Sequence, residues 1–389
     1  MTTPRRAQFV WIAVAVCVLF SQNTPCAAPL VGGYWENWNP PLDPGSGTAA
    51  DPSYYANDLE HFNSVYYSFL TLAQTPNPDN PPVAHWDGQA IYESMTAADV
   101  ITVMTVTDPA WANPYEWQRV KIQALIDACH AQGKKFIWAV GGWSDLTLTV
   151  TDEQIPALVD YLVRLLQLSG DGVDFDWEHL STAPDPDVKN QQRRVLGKIF
   201  AALRSALDAA GLSHRQIGYT TRFNAFWDDA TRPEGVTAFE SDGEGIAVAD
   251  AATAAGSPLA DCLNWINIMM YDVPPTALGA PPTGFTLSTY QMVLDAFARH
   301  VPKNLVVMGF EPGGQAAGGV WEGMAVDRQA IDFVLAQKYR GIMFWAINQP
   351  ALPPSVEVTG LNARELARYA LETWAKTVAL PYLLLLGAD

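Results

Sequence analysis

Eight short β-rich runs, spaced so that helices fit between them, constrain this chain more than any other feature. They lie at 30–35, 63–70, 135–140, 172–177, 216–223, 264–271, 304–310 and 341–347. Stretches at 115–131, 152–168, 190–210 and 287–299 read as amphipathic helices between them. In 154–168 the apolar residues Leu158, Tyr161, Leu162 and Leu165 recur at helical spacing. Strands alternating with helices imply a parallel sheet, and eight such units close naturally into a (β/α)8 barrel, an α/β fold. A doubly wound open sheet is the rival on pattern alone. The interval from 310 to 341 has room for about one helix, so no large α+β insertion follows the seventh strand. The barrel is therefore expected to be a single domain over 29–389, with a proline-rich loop at 71–99 and the run at 100–106 passing over one face.

Residues 1–28 read as a signal peptide. Arg5 and Arg6 form a basic start, 7–20 is uncharged and apolar, and small residues follow. The apolar stretch is short for a bilayer span, so a permanent anchor is the weaker reading. This predicts export, to the cell exterior or the periplasm. The apolar tail at 378–386 is also too short to span. It is expected to pack on the barrel exterior, with a partner-docking strip as the alternative.

The formal charge is −18, and loss of 1–28 removes two arginines and no acids, taking it to −20. Such a surface repels nucleic acid and anionic lipid but suits a neutral or cationic polymer. The mature chain keeps only Cys129 and Cys262, which excludes a disulfide scaffold. Zinc-ligand spacing and glycine-rich phosphate loops are missing, so no metal and no cofactor is expected. A monomer is expected.

The chemistry concentrates in Asp171-Gly172-Val173-Asp174-Phe175-Asp176-Trp177-Glu178. Strand side chains alternate faces, so Asp174, Asp176 and Glu178 share one face and Val173, Phe175 and Trp177 the other. The bulky apolar set needs burial against helices, which turns the acids toward the barrel axis. Confined carboxylates repel one another, which raises proton affinity and favours a shared proton. Acid catalysis needs that: an acid still protonated near neutrality beside an ionised neighbour. Glu178 comes last, at the end of the strand where barrels carry their chemistry. A calcium loop would want an acid at position 182, where Thr182 stands. A solvated acidic face fits poorly with so apolar an opposite face.

The segment matches Asp-Gly-x-Asp-x-Asp-Trp-Glu at every fixed position, and so resembles the signature of the family-18 glycoside hydrolases, the chitinases and their relatives. Further segments agree in order. Residues 134–143 (KKFIWAVGGW) resemble the family's third strand, with Ala139 in place of a serine. Residues 267–272 (NIMMYD) resemble the sixth-strand Met-x-Tyr-Asp motif. Residues 341–348 (GIMFWAIN) resemble the eighth strand with its floor tryptophan, with Asn348 where an aspartate is frequent. Residues 30–38 and 304–313 match more loosely.

The resemblance implies a substrate-assisted, retaining hydrolysis of β-1,4-linked N-acetylglucosamine polymers, with chitin or its oligosaccharides as the binding partner. It implies that Glu178 protonates the glycosidic oxygen and that the sugar's own acetamido carbonyl closes an oxazolinium, later opened by water. Asp176 would hold the acetamide N–H, Asp174 would set the proton balance of Asp176, and Tyr271 would bond the acetamide oxygen. Trp345 would floor the sugar site beside Met269. Ala139 lacks the hydroxyl that usually supports the lower aspartate. Tyr34, Trp38 and Trp143 are candidate sugar contacts, and Trp227 and Trp321 further candidate platforms, because an indole face stacks on a pyranose. Arg222 and Asp272 point to the cleft or pair for structure. Glu311 contacts substrate or caps a helix. His179 is read as a hydrogen-bonding residue rather than a second catalyst. Two rivals stand beside the chitinase reading: an endo-β-N-acetylglucosaminidase or peptidoglycan-directed relative, and a chitin-binding lectin.

Overall fold

Every β-rich run forms a strand, and the strands pair in parallel, each with its sequence neighbours, until the last meets the first. They are β1 (Leu30–Glu36), β2 (Ser64–Leu70), β3 (Lys135–Gly141), β4 (Gly172–Asp176), β5 (Gln216–Arg222), β6 (Trp265–Met269), β7 (Val306–Phe310) and β8 (Gly341–Phe344), in a closed barrel of order 1 to 8. The computed structural model describes residues 28–39, 51–70, 116–143, 150–178, 180 and 185–386. The signal-peptide reading, apart from Ala28, the excursion at 71–106 and His179 lie outside the described residues. An open doubly wound sheet is excluded, because β1 pairs with both β2 and β8.

The helices are α1 (Pro52–Leu59), α2 (Glu116–Ala131), α3 (Ile155–Leu168), α4 (Pro186–Ala209), α5 (Glu244–Ala254), α6 (Leu259–Cys262), α7 (Leu287–Ala298), α8 (Met324–Ala336) and α9 (Thr359–Leu386). The fourth starts before its apolar periodicity does. Asp185 accepts a bond from the Asp187 N–H at 2.8 Å and Pro186 opens the first turn, so a polar turn precedes the amphipathic body. Between β7 and β8 the only α-helix is α8, and no domain is inserted. The apolar tail continues α9; beyond Val378 its side chains lie outside the described residues. Among the described residues no helix is long and apolar enough to cross a membrane.

Alternation along the strands sorts side chains into two cores. Val173, Phe175 and Trp177 point outward into the layer between barrel and helices, where the Phe175 ring meets Phe200 of α4 edge-on at 5.4 Å. The inward positions form a separate cluster that includes Tyr34, Tyr66, Ile137, Ala139, Trp265 and Met343, with Trp38 and Trp345 packed on its upper side. The barrel is filled, and its upper face carries the site.

Candidate active site

The ladders decide which inward side chains meet. Asp174 and Asp176 of β4 stand opposite Gly218 and Thr220 of β5, and Gly218, Thr220 and Arg222 stand opposite Trp265, Asn267 and Met269 of β6. Three levels result, with Asp174 lowest, Asp176 in the middle, and Glu178 beside Arg222 at the top.

Asp174 is fully buried. Its Oδ2 accepts from Tyr34 Oη at 2.6 Å and Thr220 Oγ1 at 2.7 Å, and its Oδ1 from Trp265 Nε1 at 2.7 Å. Burial pushes its pKa above the usual carboxyl range, and these three donors hold the rise back. The donors answer the question posed by Ala139, which lies next to Asp174 in the ladder with only a methyl group. Support for the lower aspartate comes from β1, β5 and β6 instead.

Asp176 is pushed well above its ordinary value, first by burial and then by the charges of Glu178 and Asp174. It sits between two neighbouring acids, and its Oδ1 has no hydrogen-bond partner among the described residues. Glu178 stands just past the strand, with a side chain 14% exposed. Burial raises its pKa, Arg222 opposes the rise, and Asp272 and Glu244 add to it.

Above these acids opens a cleft of about 740 Å3. Trp345 and Phe69 stack at 5.7 Å with planes 19° apart, and Trp38 packs against Trp345 at 6.1 Å. Trp143 stands at the rim, 56% exposed. Met269, Tyr271, Asp272 and Arg222 also line it beside Asp176 and Glu178. Tyr271 is pushed far up by burial and by Asp176, so its phenol stays a neutral donor. Flat apolar plates beneath a row of carboxyl groups and a phenol can hold a pyranose and deliver a proton to its substituent oxygen.

Of the residues singled out in the sequence, Glu178, Asp176, Tyr271, Met269, Asp272, Trp345, Trp143, Trp38 and Arg222 meet at the cleft, with Asp174 directly beneath. Two do not line the cleft. Tyr34 is fully buried and spends its hydroxyl on Asp174 and Thr220 (2.7 Å), so it supports the carboxylates from below. Glu311 is buried and organises the loop after β7, accepting from the Ala316 N–H at 3.0 Å and Gln349 Nε2 at 2.9 Å. Neither Trp227 nor Trp321 lines the cleft. Trp227 is buried against Phe223, and Trp321 gives its N–H to Asp327 at 2.9 Å. Asn348 ties β8 to β1 through both the N–H and the carbonyl of Glu36.

Phe69 was not legible in advance. By alternation it belongs on the outer face with Val65 and Tyr67, but the β2–β3 register shifts between Ser68 and Leu70 and turns it inward. Ala316 and Ala317 were also missed, since they serve through backbone N–H groups; Ala317 donates to Asp272 at 2.5 Å.

No family model and no curated protein matches this sequence. Solved structures do. The chitinase ChiA74 from Bacillus thuringiensis superposes with a TM-score of 0.54 at 14% identity, over 90% of this chain and 70% of that one. Active domain 2 of a chitinase from Pyrococcus furiosus gives 0.53 at 11% identity, over 90% and 99%. A GH18 chitinase from Cycas revoluta, solved with (GlcNAc)4, gives 0.50 at 14% identity, over 89% and 99%. The fold is that of the GH18 chitinases. At such identities a GH18 barrel is shared as a backbone path, and the chemistry has to be argued from the side chains this chain places on it.

Proposed function

We propose that this chain is an exported chitinase-type hydrolase that cuts β-1,4-linked N-acetylglucosamine polymers with retention of configuration. The observation that carries the reading is the inward column Asp174–Asp176–Glu178 rising beneath an aromatic-floored cleft. Neighbours solved with N-acetylglucosamine oligosaccharides support the choice of sugar.

In this mechanism the sugar to be cleaved lies on Trp345, and its glycosidic oxygen takes the proton of Glu178. The acetamido carbonyl attacks the anomeric carbon, so the nucleophile belongs to the substrate. Asp176 Oδ1, buried and unpartnered, receives the acetamide N–H, and Tyr271 bonds the acetamide oxygen. Asp174, directly below on the same strand face, raises the proton affinity of Asp176. Water then attacks the anomeric carbon, returns a proton to Glu178 and reopens the ring.

Glu178→Gln keeps the shape and removes the proton. Hydrolysis of N-acetylglucosamine oligosaccharides should fall by a factor of about 100 or more while their binding persists. A variant that turns over normally would refute the assignment. A wild type that binds these oligosaccharides tightly and never cuts them would make the protein a lectin. Glycan released from glycoprotein, with chitin oligosaccharides untouched, would point to an endo-β-N-acetylglucosaminidase.

A further inference from the structure

Two residues beyond the Asp176–Thr220 pair, β5 ends on Arg222, and the register brings its guanidinium to the acid. Arg222 Nη2 donates to Glu178 Oε2 at 2.8 Å. The two side chains are 27% and 14% exposed, so the pair is largely shielded. Among the described residues Arg222 is the one cation lining the cleft, against the carboxyl groups of Asp176, Glu178, Glu240 and Asp272. A pair on an open surface would contribute little, but in a walled cleft charges act more strongly.

We propose that Arg222 is a positioning residue for the hydrolysis: its ion pair orients the Glu178 carboxyl and stabilises the carboxylate left when the proton passes to the departing sugar. The inference rests on the hydrolase reading and adds to it a residue outside the carboxylate column. In the step concerned, the O–H bond of Glu178 breaks and an O–H bond forms on the glycosidic oxygen. The C–O electron pair leaves with that oxygen as the acetamido oxygen closes on the anomeric carbon. Positive charge then lies on the oxazolinium and negative charge on Glu178, 2.8 Å from the guanidinium. Arg222 thus makes Glu178 the stronger acid.

The groups facing Glu178 otherwise push the other way. Among the described residues they include Asp176 from β4, Tyr271 and Asp272 after β6, and Glu244 at the head of α5. Arg222 is the counterweight to this acidic surround. Removing its charge raises the pKa of Glu178, so the proton is kept to higher pH but given up less readily.

The test uses the full chain with Arg222→Met and Arg222→Lys, and compares an unmodified N-acetylglucosamine tetramer with a nitrophenyl glycoside of the dimer. The nitrophenolate departs with little help from a proton, so the two substrates separate acid strength from general damage. For Arg222→Met, kcat on the tetramer should fall roughly tenfold or more and fall much less on the nitrophenyl glycoside. The alkaline limb of its kcat profile should move up by about one pH unit. Arg222→Lys should restore the limb. Should Arg222→Met melt early, Arg222→Gln carries the same expectations. Equal losses on both substrates with an unmoved alkaline limb would overturn the proposal. If the wild type cleaves and Glu178→Gln does not, that result sinks this inference alone. A wild type inert on both substrates would remove the hydrolase reading and this inference with it.

Discussion

Gly218 lies between the indole of Trp265 and the carboxylate of Asp174. A Cβ there would stand 2.0 Å from Trp265 Nε1 and 2.3 Å from Asp174 Oδ1, and both neighbours are fully buried. Gly218→Ala should therefore break the Trp265–Asp174 bond and destabilise the fold by roughly 1–3 kcal/mol. Activity on oligosaccharides should fall with it, because Asp174 loses one of the donors that hold back the rise in its proton affinity. A thermal melt and a rate that both match wild type would show that Trp265 has room to retreat. The acids themselves were legible, since the period of two in 171–178 and the resemblance of the segment both pointed to them. The place of Tyr34 beneath the cleft was not legible, for a physical reason. Its partner Asp174 lies 140 residues away, and no local pattern says that barrel closure brings the two together.

The segment after β7 shows how an element's position sets the proton affinity of its residues. Burial first, and then the charge of Asp272, push Glu311 from 4.5 to about 9. The folded state keeps a proton there that the unfolded chain releases. The stabilisation is whole below about 4.5 and is lost as pH rises toward about 9. Glu311→Gln, which stays neutral, should flatten the fall in unfolding free energy between pH 5 and pH 9, a range of roughly that window, as read by urea titration at several pH values. An unchanged slope would mean that Glu311 is ionised in the folded protein. From sequence alone Glu311 was open between substrate contact and helix cap. In the structure it is buried outside the cleft lining and ties the loop after β7 to Gln349. Phe69 teaches the converse lesson: alternation predicts the face of a regular strand, and the shifted register at the end of β2 takes that residue out of the pattern.

At the scale of the molecule, β7 and β8 are joined by α8 with no domain between them, and among the described residues that connection lines the cleft through Ala316 and Ala317. We propose that a long polymer binds there at internal positions rather than by a chain end. The expected products on long N-acetylglucosamine oligomers are mixed sizes appearing together in the first minutes, followed by chromatography. A series dominated by dimers from the start would argue for a chain end held in a closed tunnel. The net charge of −18 and the acids around the cleft are consistent with a neutral or cationic polymer and oppose an anionic one.

The eight strands, the outward turn of Val173, Phe175 and Trp177, and the inward acids followed from the sequence alone. Local periodicity and the burial demand of apolar side chains act within a few residues of each other, and that makes them readable. The ion pair of Arg222 with Glu178, the donors that replace a hydroxyl at Ala139, and the burial of Tyr34 and Glu311 were decided only when the barrel closed. Each depends on the register between strands far apart in the chain, and that register is a property of the whole ring of ladders. For the same reason the acid at Glu178 could be located from sequence, whereas the groups that set its proton affinity had to be seen in place.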